Sequence, residues 1–176
     1  MRDKITTIEI EHRVASYFGY RQNLIVPNIS WGMNIHECDL LIITKGGYGI
    51  EVEIKVSRSD LKNDSNKSHS HDDDRIKKLY FAIPDYMKDS IDLIPKRAGI
   101  LVLRRYYEWG DNIGVHVLRE PEINKHCIKF SSEEMFNIAR LGTMRIWNLK
   151  KKIITTKRKP IQKKIPSYKN QLELSI

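Results

Sequence analysis

The segment from Ile50 to Val56 constrains the fold of this chain more than any other, because it alternates strictly between apolar and charged residues. Successive side chains of a β-strand point to opposite faces, so the alternation predicts a strand with one apolar face and one charged face. The apolar face holds Ile50, Val52, Ile54 and Val56, and the charged face holds Glu51, Glu53 and Lys55. Two carboxyl groups and an amine therefore share one surface.

A second apolar run lies just upstream, at Leu40–Ile43, and Lys45-Gly46-Gly47 follows it as a turn. This order predicts an antiparallel hairpin that brings Asp39 towards Glu53. Carboxyl oxygens beside a lysine suit a hard divalent cation that is held next to a phosphate. The alternative is purely structural, with the charged face as the exposed side of an amphipathic strand and ion pairs across the hairpin.

Asp39 followed by Glu53-Ile54-Lys55 resembles the Asp…(Asp/Glu)-x-Lys signature of the PD-(D/E)xK nuclease superfamily. The resemblance continues through Leu79–Pro84 and Pro95–Ile100, which are similar to the MmcB-like branch of DNA repair proteins and to related phage-type proteins. It covers roughly residues 5 to 105 and fades in the C-terminal third. The resemblance implies an α/β fold of the restriction-endonuclease-like kind, with a mixed β-sheet core flanked by helices.

The same resemblance implies metal-dependent hydrolysis of DNA phosphodiester bonds, in repair, restriction or phage DNA metabolism. Asp39 and Glu53 would bind Mg²⁺ or Mn²⁺, and a glutamate on the first helix would complete the site. We favour Glu11 for that role, with Glu9 as the alternative. Lys55 would orient the attacking water and stabilise the transition state.

Some neighbouring residues leave the composition of the site open. Glu37 and Glu51 lie two residues from the proposed ligands on the same strand faces, and they would replace them if the strand register differed. Cys38 stands where the superfamily usually has proline. A zinc site is a further alternative, built from two pairs of ligand types, His36 with Cys38 and His126 with Cys127.

The polar segment between Ser57 and Asp74 borders the predicted site. Its basic side chains are expected to contact DNA phosphates, and they are Arg58, Lys62, Lys67, His69 and His71. A solvated loop is the alternative reading of this segment. The order of His69, His71 and Asp73 partly resembles the His-x-His-x-Asp-His motif of zinc metallohydrolases, an enzyme of another class, although the last histidine is missing.

The net charge of +9 arises entirely at the C-terminal end of the chain. Residues 145–176 contain ten Lys and Arg and a single acidic residue, Glu173. Such a tail attracts polyanions with an affinity that falls steeply as salt rises, although it could also be a solvated terminus. We expect Lys150, Lys151 and Lys152 to contact DNA. The leading alternative to an enzyme is a non-catalytic nucleic-acid-binding module on the same fold.

Hydrophobic spacing and turn residues predict the element order α-β-β-β-α-β-α-β-β-α, a mixed sheet with helices on both faces. Residues 75–78 are predicted to close a helical turn, and a serine cap at Ser131 predicts a last helix that reaches about Lys152. Along that helix, packing is predicted for Leu141, Met144, Ile146, Trp147 and Leu149.

The length of 176 residues and the apolar share of 40% favour one domain, over residues 1–152, followed by a basic tail over 153–176. The apolar runs are too short to span a membrane, and the N-terminus has no signal pattern. We therefore expect a cytoplasmic protein that binds DNA and no membrane, with a homodimer as a possible state.

Overall fold

The structure is a computed structural model, and it describes residues 4–29, 35–64, 73–107 and 112–158. The elements follow the predicted order. The helices are α1 (Thr7–Tyr17), α2 (Arg58–Asp64), a 3₁₀ helix (Asp85–Leu93) and α3 (Ser132–Arg158). The strands are β1 (Leu24–Ile29), β2 (Cys38–Ile43), β3 (Gly49–Ile54), β4 (Ile76–Pro84), β5 (Gly99–Tyr106) and β6 (Asn112–Arg119).

The six strands form one mixed sheet in which spatial order equals chain order. The predicted hairpin is confirmed, because β2 and β3 pair antiparallel and Leu40 lies opposite Val52. Strand β3 pairs parallel with β4, and β4 pairs parallel with β5, whereas both outer pairs are antiparallel. Strand β3 therefore lies inside the sheet, with a neighbour along each side. The α/β fold class, a mixed sheet flanked by helices, is confirmed.

Helix α1 covers one face of the sheet through Ile10 and Val14, which are fully buried against a cluster that includes Val52 and Ile54. A capping box at Thr6 and Glu9 fixes the start of this helix. The apolar face of β3 therefore packs against α1, as its alternation predicted. Side chains of β3 at the alternate positions point to the other face of the sheet.

Two further clusters lie on that other face. One contains Leu61 of α2 and Met87 of the 3₁₀ helix together with Phe81 of β4. The second contains Ile138 of α3 packed with Leu41 of β2. Apolar cover from these helices explains why β3 is buried on both faces, including its charged residues.

Two local predictions are wrong. Residues 75–78 were predicted to close a helical turn, but β4 already begins at Ile76, which is buried beside Phe130. Helix α3 extends to Arg158 rather than ending near Lys152, because neither proline nor glycine occurs between Lys152 and Pro160. The predicted serine cap is present, since Ser131 and Glu134 each bond the other's backbone amide.

The chain divides into two compact units, Met1–Thr143 and Met144–Ile176, so the division lies within α3. In the first unit Leu141 packs against the core, as predicted. In the second unit Met144, Ile146, Trp147 and Leu149 are more than half exposed, so the packing predicted for them is wrong. Helical spacing identifies an apolar face but does not tell whether protein or solvent covers it. None of the helices in the described part of the chain combines the length and the apolar content that a membrane span requires.

Candidate active site

The candidate site lies on the face of β3 that alternation assigns to Glu51, Glu53 and Lys55. The hairpin register, continued by one residue from the Leu40–Val52 pair, places Asp39 opposite Glu53. Side chains opposite one another on antiparallel strands point to the same face. The register therefore joins Asp39 to the charged face of β3, as the sequence predicts.

Lys55 connects the two carboxyl groups. Its Nζ lies 2.7 Å from Glu53 Oε2 and 3.9 Å from Asp39 Oδ2. Glu53 is fully buried and Lys55 is 4% exposed, whereas the side chain of Asp39 is 40% exposed. The backbone amide of Ile54 donates to Asp39 Oδ2 at 2.8 Å and so fixes that carboxyl group. The site is therefore open to solvent at Asp39 and closed around Glu53.

Glu51 belongs to a second set of contacts on the same face. It is fully buried, and its Oε2 lies 2.8 Å from Nε2 of His36, a buried residue that precedes β2. The other ring nitrogen of His36 lies 3.4 Å from Asp73 Oδ2. Burial alone would lower the pKa of His36, but the hydrogen bonds from Asp73 and Glu51 outweigh it and raise that pKa to about 10. His36 is therefore an imidazolium that donates to both carboxylates.

We call these six residues the charge row, and they are His36, Asp39, Glu51, Glu53, Lys55 and Asp73. The described residues contain five buried polar or charged side chains, and four of the five belong to the charge row. Burial of charged groups is expensive unless they are paired, and here the pairing is concentrated in one place. The charge row is therefore the strongest candidate for a functional site.

Cys38 lies among these carboxyl groups, and its thiol is buried. Burial, together with the negative charges of Glu51 and Glu53, raises the pKa of its thiol well above the ordinary value. A thiol held in its protonated form is a poor ligand. No group of three His, Cys, Asp or Glu side chains that could hold a metal lies within the described parts of the chain, so the His36–Cys38 and His126–Cys127 pairs do not form a zinc site there.

The two glutamates of α1 have different surroundings. The Oε2 atom of Glu9 accepts from the backbone amide and the hydroxyl of Thr6, and its Oε1 accepts from Arg105 at 2.7 Å. The backbone hydrogen bond from Thr6 and the Arg105 bond lower the pKa of Glu9 to about 2. Glu11 forms no three-ligand group with Asp39 and Glu53 in the described chain. The structure thus brings Asp39 and Glu53 together without either glutamate of α1.

Five of the basic residues expected to contact DNA lie in the described part of the chain, in two places. Arg58 and Lys62 are exposed on α2, which begins three residues after Lys55 and is anchored by the buried Leu61. Lys150, Lys151 and Lys152 are exposed on α3 in the second unit. The remaining candidates, Lys67, His69 and His71, lie outside the described residues, and with them lies most of the zinc-hydrolase motif.

Comparison with known proteins identifies the fold alone. No protein-family model matches the chain, and no curated protein matches it. A solved structure of a protein of unknown function from Silicibacter pomeroyi is similar, with a TM-score of 0.55 and 13% identity. The similarity covers 87% of this chain and 94% of that chain. It therefore extends over nearly the whole of both proteins, and identity is too low to transfer a function.

His36 and Asp73 are the functional candidates that the sequence analysis missed in this arrangement. His36 was considered as a zinc ligand, and Asp73 as part of a histidine motif further along the chain. Their contact depends on the parallel pairing of β3 with β4, which places the start of β4 beside Gly49, two residues before Glu51. A buried carboxylate requires a partner, but the burial of Glu51 is set by distant segments and leaves no local signal in the sequence.

Proposed function

We propose that this protein is a metal-dependent nuclease that hydrolyses phosphodiester bonds of DNA. The observation that supports this proposal best is the convergence of Asp39 and Glu53 on the ammonium group of Lys55, at 3.9 Å and 2.7 Å. Two carboxyl groups from adjacent strands share the ammonium group of Lys55 there, and the carboxyl group of Asp39 is accessible to solvent. The Asp…Glu-x-Lys resemblance agrees with this arrangement.

The energetics of burial support a functional role for these charges. A buried ion pair rarely contributes more stability than apolar residues of the same volume, because desolvation offsets the attraction between the charges. Three buried charged residues on one face, two on β3 and Lys55 just after it, are therefore a costly way to build a core. Sites of catalysis are where such costs are commonly retained.

The donor atoms suit a hard divalent cation. Mg²⁺ is usually bound through one or two carboxylates, with water and substrate phosphate as its other ligands. Asp39 and Glu53 would supply those two carboxylates. With its carboxyl groups ionised, the charge row has four negative charges against the positive charges of Lys55 and His36, so it would attract a divalent cation. When bound, such an ion would lower the pKa of a coordinated water and neutralise charge on the scissile phosphate.

The protein's own side chains would position the attacking water and polarise the scissile phosphate. Lys55 is held by Glu53, and its ammonium group can donate to a phosphate oxygen or to the attacking water as negative charge develops. The hydrogen bond from the Ile54 amide fixes the orientation of the Asp39 carboxyl group. The entropy cost of ordering that group is therefore met on folding and not during the reaction. Low local polarity around Glu53 strengthens each of these interactions.

The test is cleavage of linear duplex, single-stranded, circular and branched DNA with Mg²⁺, Mn²⁺ or EDTA. We expect cutting by the wild type with metal alone, and its loss in Asp39→Asn and Glu53→Gln. Asp89→Asn, an exposed residue of the 3₁₀ helix, is the matched control and should cut normally. Metal-independent cutting, or equal cutting by all variants, would overturn the assignment. Salt-sensitive binding of DNA without any cutting would instead favour a non-catalytic module.

A further inference from the structure

Four neighbouring strands bring residues to the edge of the sheet where Asp39 and Lys55 lie. Strands β3, β4 and β5 run parallel, so their carboxyl ends lie at one edge, and β2 begins there because it pairs antiparallel with β3. Asp39 lies near the start of β2, and Lys55 directly follows β3. In open α/β sheets, ligands bind outside the carboxyl ends of the strands. Residues at the ends of β4 and β5 are therefore placed to contact a ligand that reaches Asp39 and Lys55.

Tyr86 lies directly beyond the end of β4, in the first turn of the 3₁₀ helix. Its hydroxyl donates to the backbone carbonyl of Val56, the residue after Lys55, at 3.4 Å. The next residue, Met87, is buried in the cluster that also holds Leu61 of α2, and this packing anchors the 3₁₀ helix. Tyr86 itself remains 49% exposed. The structure therefore holds an aromatic side chain beside Lys55 while about half of its surface faces solvent.

Arg104 lies near the end of β5, on the same face of the sheet as Glu53. The register pairs Glu53 with Phe81 and Phe81 with Ile100, and alternation from Ile100 along β5 brings Arg104 to that face. The Arg104 side chain is 56% exposed, and its Nε lies 3.8 Å from Asp85 Oδ2. An exposed ion pair of this kind contributes little free energy. The guanidinium of Arg104 can therefore exchange Asp85 for a phosphate.

The exposed side chains at this edge follow the order of the strands across the sheet. Asp39 belongs to β2, Lys55 follows β3, Tyr86 follows β4 and Arg104 belongs to β5. Neighbouring strands lie about 4.8 Å apart, so β4 is one strand and β5 roughly 10 Å from β3. A DNA strand that crosses this edge with its scissile phosphate at Asp39 and Lys55 would meet Tyr86 first and Arg104 next.

The two side chains are of types that bind the two parts of a nucleotide. An aromatic ring stacks on any nucleobase, because every base has a π-face. The planar guanidinium of arginine donates two parallel hydrogen bonds to a phosphate. Because the hydroxyl of Tyr86 is already bonded to Val56, little further ordering of its side chain is needed for stacking.

We propose that Tyr86 stacks on the base of a nucleotide beside the scissile phosphate and that Arg104 binds the phosphate of the next nucleotide. The inference rests on the proposed function. It narrows the substrate to DNA in which that base has an open face, as in a single strand or a frayed end. Tyr86 and Arg104 would position the strand and take no part in proton transfer or metal binding.

The test of stacking measures binding of fluorescein-labelled single-stranded DNA by anisotropy, in EDTA and, for the Glu53→Gln variant, in Mg²⁺. Tyr86→Leu should weaken binding about tenfold, the effect of losing one stacked base. Tyr86→Phe should bind like the wild type, because the ring is kept. On an abasic strand, which keeps the phosphates and lacks the bases, Tyr86→Leu and the wild type should bind equally.

The test of the phosphate contact is the dependence of affinity on salt. Arg104→Gln should lower the slope of log affinity against log salt by about 0.7, the value for one phosphate contact on a single strand. Tyr86→Leu should leave that slope unchanged. Tyr20→Leu and Arg21→Gln are the matched controls, because both residues are exposed in the turn before β1. The register places this turn at the opposite end of the sheet, so both variants should bind DNA like the wild type.

Equal binding of ordinary single-stranded DNA by Tyr86→Leu and the wild type would overturn the stacking contact. The same loss on the abasic strand, or an equal loss in Tyr20→Leu, would also overturn it. An unchanged salt slope in Arg104→Gln would overturn the phosphate contact.

Glu53→Gln separates this inference from the proposed function, because it should abolish cleavage and keep the effect of Tyr86→Leu on binding. Cleavage by a protein in which Tyr86→Leu binds normally would remove the contact and keep the nuclease. A Tyr86→Leu effect in a protein that cuts no DNA would keep the contact on a non-catalytic module.

Discussion

Lys55 and Glu53 form a buried ion pair two residues apart along the chain, with Nζ and Oε2 separated by 2.7 Å. Both residues point to the same face because they are separated by one alternation of the strand. The pair is 3.9 Å from Asp39 on the neighbouring strand, whose carboxyl group is partly open to solvent. A buried lysine therefore lies at the edge of a site that is open to solvent on the side of Asp39.

Lys55→Met should destabilise the protein while preserving the shape of the side chain. Removal of one partner leaves Glu53 buried without its nearest cation, and such changes cost about 3 kcal/mol in free energy of unfolding. Urea denaturation of Lys55→Met, Glu53→Gln and the double variant measures this coupling. We expect the double variant to lose less than the sum of the single losses, and strictly additive losses would contradict the pairing.

The stability contributed by His36 should depend on pH. The pKa of His36 rises from 6.5 to about 10 on folding, through its bonds to Asp73 and Glu51 despite the opposing effect of burial. A pKa raised by folding stabilises fully below the unfolded value and loses that contribution as pH rises through the folded value. The difference in unfolding free energy between wild type and His36→Gln should therefore be largest near pH 6 and shrink towards pH 10.

The same measurement with His12→Gln provides the control for that pH dependence, because His12 is exposed on α1. Urea denaturation at pH 6, 8 and 10 would give both differences. A His36→Gln difference that stays constant or grows with pH would show that the imidazolium is not formed between the two carboxylates.

The cap of α1 should affect stability without affecting metal binding. Thr6→Ala removes the side chain that bonds Glu9, and loss of an N-cap typically costs about 1 kcal/mol. Glu9→Gln and Glu11→Gln should both leave the affinity for Mn²⁺ unchanged, because the structure groups neither with Asp39 and Glu53. Calorimetric titration with Mn²⁺ checks this. A marked loss of affinity in Glu11→Gln would contradict this and support the role that the resemblance implies for Glu11.

Gly49 should not tolerate a side chain at the start of β3. A Cβ there would lie 2.6 Å from the backbone carbonyl oxygen of Arg75, which cannot move without shifting β4. We expect Gly49→Ala to cost about 1–3 kcal/mol, as overpacking does. Gly46→Ala is the matched control, since its nearest neighbour would be the Tyr48 ring at 3.6 Å. Equal denaturation midpoints for the two variants would contradict this close contact.

The sequence predicted the element order and the β2–β3 hairpin, because alternation and turn residues are local signals. It did not predict that the charged face of β3 would be buried, since an alternating strand usually exposes its polar side. That burial follows from α2, the 3₁₀ helix and α3, whose packing on the sheet involves residues far along the chain. Burial is what distinguishes the charge row from an ordinary amphipathic strand.

The partners of Glu51 could not be predicted for a similar reason. His36 lies 15 residues before Glu51, ahead of β2. Asp73 lies on the other side of β3 in the chain, shortly before β4 begins. Only the order of strands in the sheet, with β3 between β2 and β4, brings them together. The same limit applies to α3, where the spacing of Ile146, Trp147 and Leu149 identified an amphipathic helix but not which of its faces is covered.

The most direct test of the central claim is the single-turnover rate at which wild type and Lys55→Met cut end-labelled DNA in Mn²⁺. Lys88→Met, an exposed lysine of the 3₁₀ helix, is the control for loss of a positive charge. If the charge row is the active site, Lys55→Met should cut at least about 100-fold more slowly than the wild type. That is the size of effect seen when one hydrogen-bond donor to the transition state is removed. Lys88→Met should cut at the wild-type rate. Equal rates for Lys55→Met and the wild type would show that the charge row is structural and that any cutting occurs elsewhere.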